Sequence, residues 1–336
     1  MTSGAMKEMP ARTEIPGSTS VPWVTTMPMT TFVRFLPRTE IFDVTREALL
    51  GTDVHGCIGR LREALRYLRA HLPADEWKTV CEEARQHSLH DLLLESPFTR
   101  RAYSKPRGYA GDAVLMDLIY GAPPSEEPLS PLGGMLYGYE FDSPCFQSVR
   151  TRRAVLAREI DAVAASRPHA RVLSVACGHL REIEWSRAVR TGDASVTAID
   201  QDRDSLDVVE RLYGAYPVSA SPATVGDLLR RTVRFEGFDL AYAAGLYDYL
   251  DNDVARVLTA TLFRALRSGG RLLIANFTPA TQDAAFMEAI MDWHLIYRTP
   301  DEVRALTTSL RQEAVAAVEQ FSDHNRHITY LRVEKR

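Results

Sequence analysis

Three groups of residues in this sequence have the types and the order to hold a nucleoside-bearing ligand. The first is RVLSVACGHLRE (171–182), an apolar run that passes straight into a turn of small residues and then toward a helix. Such a turn lets a ligand approach the backbone at the carboxyl end of a strand, beside a helix N-terminus. Only Gly178 remains of a glycine triad, with Ala176 and Leu180 at the flanking places, so the turn by itself reads equally well as an ordinary strand–turn–helix. The second is Asp200, which ends SVTAID (195–200) about 20 residues beyond the turn. A carboxylate there can accept both hydroxyls of a ribose. Its other use is to cap the next helix, which Asp202 or Asp204 could do instead. The third is Asp227 in VGDLL (225–229), where the carboxylate can accept from an adenine amino group while the Leu228 amide donates to the ring.

These groups need strands to present them and helices to separate the strands. The chain alternates strand-like and helix-like segments after Arg167, with strands expected near 171–176, 195–200, 238–243, 270–276, 313–320 and 327–334. That alternation predicts an α/β fold with a parallel sheet covered on both faces, closed by an antiparallel hairpin. Ahead of it the pattern is helical. Ile58, Leu61, Leu65, Leu68 and Leu72 recur at three and four along 55–72, Pro73 ends that helix, and Asp75 is placed to cap the next. Leu89, Leu92, Leu93 and Leu94 mark a third helical piece, and a long helix is expected over 145–165. Between them, 96–150 is rich in Gly, Pro and Tyr and carries KPRGYAGD (105–112), a segment of the kind that forms a functional loop. Pro10, Pro16, Pro22 and Pro28 punctuate an opening stretch without apolar period, which predicts a disordered leader over 1–30. The expected organisation is that leader, a helical N-terminal domain with a lid over 31–144, and a Rossmann-like domain over 145–336.

Composition narrows the partners. Forty Lys and Arg against 44 Asp and Glu give a formal charge of −4, which supplies no field for a polyanion and argues against nucleic acid. The local cluster Arg150, Arg152 and Arg153 is either an anion site or a solvated helix face. Cys57, Cys81, Cys145 and Cys177 lie far apart with no CxxC pair, so neither a metal site nor a disulfide framework is expected. No run approaches the roughly 20 apolar residues of a membrane span, and the N-terminus lacks the apolar core of a secretory signal. A reducing cytoplasm is the expected location, and a small molecule the expected substrate.

Taken together, residues 145–336 resemble a class I methyltransferase that uses S-adenosylmethionine (SAM). VLSVACG stands at the glycine-rich first motif, Asp200 at the ribose carboxylate and Asp227 at the adenine contact. FDLAYAAGLYDYL (238–250) matches the fourth strand, and LRSGGRLLIANF (266–277) the fifth with its Gly-Gly turn. Ser174 replaces the acidic residue usual in the first strand. NAD is the competing Rossmann ligand, disfavoured by the missing glycines and by the Gly-Gly turn. Over 90–336, SVACGxxRE, AGLYDYL, DWHLIYRTPDEV (292–303) and KPRGYAGD are similar to bacterial 3-hydroxypalmitic acid methyl ester biosynthesis methyltransferases.

That resemblance implies SAM as cofactor, held by Ser174, Ala176, Cys177, Gly178, Asp200, Gln201, Asp227, Leu228 and Ala244. It implies methyl transfer to a small molecule, O-methylation of a hydroxy fatty acid carboxylate among the options. Aromatic faces stabilise a sulfonium, which makes Tyr247 the first choice as catalytic residue, with Tyr109 and Tyr297 beside it. Each of these tyrosines has a packing role as its plainer use. Arg107 is placed in a lid to meet a carboxylate, either the methionine end of SAM or an acid acceptor, with Asp112 nearby. His294 and Tyr297, three apart in an expected helical segment, make His294 a candidate base or simply surface. Two other outcomes use the same pocket. Attack by the amine of SAM on its own chain would give azetidine-2-carboxylate and methylthioadenosine, and a protein without turnover would be a SAM-binding regulator.

Overall fold

Alternating apolar runs and amphipathic segments assemble into one seven-stranded sheet, order β3-β2-β1-β4-β5-β7-β6. The computed structural model describes residues 40–51, 53–124 and 128–336, so the leader expected over 1–30 lies outside the described residues. The strands are β1 (Ala170–Val175), β2 (Ala194–Asp200), β3 (Val218–Pro222), β4 (Phe238–Ala243), β5 (Leu266–Phe277), β6 (Val315–Ser322) and β7 (Ile328–Lys335). β1 to β5 run parallel, and β7 returns antiparallel between β5 and β6. β1 pairs with β2 on one side and β4 on the other, so the strand order reverses there and a crevice opens at the carboxyl ends.

Two strand assignments differ from expectation, each for a local reason. β3 went unpredicted because VSASP is a short, half-exposed edge strand with almost no apolar signal. β5 begins earlier than 270 because the Gly-Gly turn is a bulge inside the strand: Phe238 pairs with Leu266, and Leu240 already with Arg271. A side chain on Gly270 would sit 2.8 Å from the Phe238 carbonyl oxygen, so only glycine fits there.

In chain order, α1 (Glu40–Leu49), α2 (Val54–His71), α3 (Ala74–Gln86), α4 (Leu89–Leu93), α5 (Pro97–Ser104), α6 (Ala113–Ile119) and α7 (Pro131–Phe141) precede the sheet. α2 begins at Asp53, whose side chain accepts from Gly56 N–H. Pro73, not Asp75, occupies the N-cap of α3 and makes no side-chain cap bond; Asp75 lies in the first turn, where its charge favours the helix dipole. The long α8 (Pro144–Ser166) leads into β1. Between the strands lie α9 (Arg187–Thr191), α10 (Arg203–Tyr213), α11 (Val225–Arg230), α12 (Asn252–Ala265), α13 (Ala284–Met291) and α14 (Pro300–Ala305).

α13 connects the two halves. AAFMEAIM is apolar on every side but one, and all its residues are buried, so it requires cover all round. α2, α3 and α5 supply much of that cover. Its only charge, Glu288, accepts from Arg69 Nε and Nη2 at 2.8 Å each and from Trp77 Nε1 at 2.8 Å. Arg85 donates to the Glu288 carbonyl, and His90 Nε2 lies 2.8 Å from that of Ile290. One apolar cluster accordingly runs from Ile41 through α13 to Tyr330.

Glu288→Ala would leave Arg69 and the Trp77 indole without their acceptor beneath the helical layer. Arg69 is partly exposed, which moderates the effect. We expect a loss of about 2 kcal/mol in urea unfolding; an unchanged midpoint would remove Glu288 from this role.

Candidate active site at the strand ends

The loop after β1 holds a left-handed backbone at three alternate residues: Ala176 (φ 53°), Gly178 (φ 53°) and Leu180 (φ 52°). The backbone of a glycine triad is thus present with two of the glycines replaced. A non-glycine residue in this region is disfavoured by roughly 1–2 kcal/mol, so something must hold the loop. Gly178 N–H donates to Asp200 Oδ2 at 2.8 Å, and Cys177 N–H to the Ile199 carbonyl at 3.1 Å. Asp200 Oδ1 accepts from Asp202 N–H at 2.9 Å. Asp202 is the cap of α10, which leaves Asp200 at the cavity wall. Burial pushes the Asp200 carboxyl up.

A cavity of about 510 Å³ lies over these strand ends. Ser174, Ala176, Cys177, Gly178, Asp200, Gln201 and Ala244 form its floor, and Ala223, Val225, Leu228 and Leu246 an apolar slot to one side. Arg107, Gly108, Tyr109 and Gly111 form the roof. Phe98, Phe146, Phe286, Met287, Met291 and Trp293 make an apolar far wall. Two polar anchors hold the roof down. Arg107 Nη1 reaches Asp202 Oδ2 at 2.5 Å and Ser205 Oγ at 2.8 Å. Asp117 of α6 accepts from Arg181 Nε and Nη2 at 2.8 and 2.6 Å, and lies 2.8 Å from His179 Nδ1. Burial opposes ionisation of Asp117, but Arg181 and His179 outweigh it and hold the carboxyl below the usual range.

Several expected site residues stand elsewhere. Tyr247 is fully buried beside α12, with its hydroxyl 3.1 Å from Thr259 Oγ1; the short turn after β4 directs it away from the cavity. Tyr297 packs under the Arg69 guanidinium, 5.4 Å from the ring centroid, and does not line the cavity. Asp227 forms a capping box with Thr224, accepting from Thr224 N–H at 3.0 Å and Oγ1 at 2.6 Å. These bonds draw its carboxyl down to about 2, and the apolar slot is lined by its neighbours instead. Residues 292–299 are not helical, so His294 and Tyr297 share no helix face; His294 is exposed beside Asp292. Asp112 caps α6 and binds Arg101. Tyr109 does line the cavity, where burial and then Asp200 push its hydroxyl up. Arg107 lines it too, already engaged with Asp202.

Other residues of the cavity escaped the sequence. Asp248, next to Tyr247, is 2% exposed, and its Oδ1 accepts from Phe277 N–H at 2.7 Å. Burial raises its carboxyl to about 6. Tyr249 accepts at its hydroxyl from Trp293 Nε1 at 2.9 Å. A side chain on Gly111 would sit 2.5 Å from that hydroxyl, so this glycine allows the roof to descend. Arg152 and Glu182 also reach the cavity and are buried. The cluster of Arg150, Arg152 and Arg153 is therefore no solvated face. AGLYDYL offered two polar rings with an acid between them, and only the turn geometry decides which of them face the cavity.

Residues 173–274 match the family described as a methyltransferase domain. The chain thus carries a class I methyltransferase domain and is a SAM-dependent transferase. The cavity suits SAM in its chemistry: a buried carboxylate at the end of β2, an apolar slot beside it, and Ser174 Oγ buried without a partner. No curated protein matches the sequence. Among solved structures, a Bordetella parapertussis protein described as a possible exported protein is 21% identical, with a TM-score of 0.57 over 80% of this chain and 98% of that one. It shares the fold. The N-methyltransferase NodS of Bradyrhizobium japonicum is 16% identical, with a TM-score of 0.44 over 70% of this chain and 98% of that one. A TehB-like SAM-dependent methyltransferase of Corynebacterium glutamicum is 17% identical, with a TM-score of 0.37 over 56% and 97%. Among the described residues, no helix is long and apolar enough to cross a membrane.

Two outcomes test this geometry. Ala176→Gly should relieve the left-handed strain and stabilise the fold by about 1 kcal/mol in denaturant unfolding; destabilisation would mean the alanine methyl contributes more than the strain. Asp248 titrates in the folded protein at about 6 instead of 3.8, so the unfolded chain ionises first and stability falls as pH rises through that window. Asp248→Asn should therefore gain stability relative to the wild type between about pH 4 and pH 7. A pH-independent difference would argue that Asp248 is not held protonated by burial.

Proposed function

We propose that the protein transfers the methyl group of SAM to an apolar small molecule. Within that class, the sequence resemblance points to the carboxylate of a hydroxy fatty acid. The observation that carries this reading is the far wall of Phe98, Phe146, Phe286, Met287, Met291 and Trp293, continuous with the floor that holds Gly178 and Asp200. An apolar acceptor body is favoured on that wall in proportion to the area it takes from water.

The cofactor supplies a methyl on a positively charged sulfur. The chain's own residues do the rest. Asp200 accepts from the ribose hydroxyls, while Ala223, Val225, Leu228 and Leu246 cover the base. Tyr109, Tyr249 and Trp293 give the cavity aromatic faces, which favour a cation. The roof, anchored by Arg107 and Asp117, excludes water and restricts the reactants to an aligned approach. A carboxylate acceptor needs no base; a hydroxyl acceptor would use Asp248, which sits in the turn after β4. The wide spacing of the four cysteines in the sequence, with no CxxC pair, supports a reducing cytoplasm as the place of action.

The test is incubation of the purified protein with methyl-labelled SAM and 3-hydroxy fatty acids of increasing chain length. Label in an organic-extractable ester, with S-adenosylhomocysteine formed only when the acid is present, is the expected result. Methylthioadenosine released without any acceptor would replace methyl transfer by intramolecular ring closure, and no turnover with bound SAM would favour a regulator.

A further inference from the structure

The apolar far wall of the cavity is not closed by apolar residues alone. Arg62 of α2 and Asp283, just ahead of α13, line it as well, and both also line a second cavity of about 340 Å³. That second cavity is polar, with His55, Glu63, Arg66, Tyr139, Asp142 and Gln282 around it, all but Tyr139 exposed. The two cavities are thus divided by an ion pair. Arg62 Nη1 donates to Asp283 Oδ1 at 2.5 Å, and the two side chains are 9% and 14% exposed. The guanidinium lies 4.3 Å from the centroid of the Phe286 ring and 5.2 Å from that of Tyr139. Phe286 belongs to the far wall and Tyr139 to the second cavity, so the pair spans the division.

Two features set this division apart from ordinary packing. Asp283 occupies the N-cap of α13, where an aspartate usually accepts from a helix N–H. It makes no cap bond, and its carboxylate is turned to Arg62 instead. Arg62 Nε is buried without an acceptor, a cost that an apolar plug of the same bulk would avoid. Buried Glu140 adds its charge nearby, but its oxygens accept from Ser96 and Thr99.

We propose that the Arg62–Asp283 pair sets the length of acceptor that the cavity admits. It ends the apolar chamber for a linear acyl chain whose reacting group lies at the floor. The assignment rests on the reading of an apolar acceptor and deepens it. Each methylene laid on the far wall gains by leaving water. A chain end that reaches Arg62 can advance only by breaking a buried ion pair, which offsets that gain. A chain that did displace the pair would enter the second cavity.

Calorimetry with linear saturated fatty acids of increasing length, on protein loaded with S-adenosylhomocysteine, tests the assignment without turnover. Wild-type affinity should rise roughly fourfold per carbon and then level off at a limiting length. Arg62→Ala removes the division and should carry the rise on for roughly two to four further carbons. Asp283→Ser keeps a cap for α13 but unpins the guanidinium, and should raise the limit by less. Arg62→Lys retains a charge for Asp283 and should keep the wild-type limit. S-adenosylhomocysteine affinity within about twofold of the wild type shows that each variant is folded. An unchanged limit in Arg62→Ala overturns the proposal and leaves the apolar acceptor standing. If that variant fails to fold, Asp283→Ser decides, and an unchanged limit there has the same force. A wild type that binds S-adenosylhomocysteine but no fatty acid of any length fails the acceptor reading, and the role of the pair falls with it.

Discussion

The burial of α13 is the constraint on which the architecture turns. A helix with apolar residues on every side cannot lie on a sheet face with its back to water, because a large part of its surface would stay exposed. Covering it brings α2, α3 and α5 against the end of the sheet, and Glu288 fixes their register through Arg69 and Trp77. Once those helices are docked, the chain that follows α5 has one place to go. It crosses the carboxyl ends of the strands as the roof of the cavity. The helical layer is therefore part of the site, and the six residues of the far wall come from α5, α8, α13 and the segment after it.

The second consequence concerns charge. A roof built from a separate part of the chain has to be anchored to loops that also shape the ligand site. Asp117 anchors it to His179 and Arg181 in the loop after β1, and Arg107 anchors it to Asp202 at the start of α10. These are charge-assisted bonds in a poorly hydrated setting, where each is stronger than its surface counterpart. They also stabilise a loop whose backbone is strained at Ala176 and Leu180.

Much of this was legible in the residues. The strands other than β3, the turn around Gly178 and the acid at Asp200 follow from local pattern, because a buried parallel strand and the turn after it are encoded within a dozen residues. α2 and α8 were legible for the same reason, their apolar faces recurring at helical spacing. β3 was not, since a half-exposed edge strand of Ser, Ala and Pro carries no period. Asp227 was misread because a carboxylate two residues into a helix serves equally well as a cap or a ligand contact. Tyr247 was misread because a single-turn helix sends adjacent residues to opposite faces of the sheet: Tyr247 toward Thr259, Asp248 toward Phe277 and the cavity.

The sequence alone determined that this chain carries a SAM-binding sheet, because strand, turn and acid are contiguous and their chemistry is local. Only the tertiary structure decided what completes the wall of the cavity. Arg152 comes from a helix ahead of the sheet, Glu182 from the loop after β1, Asp248 from the turn after β4 and Trp293 from the segment after α13. No spacing rule links those positions. They meet because a buried helix had to be covered, and the cover closed over the strand ends.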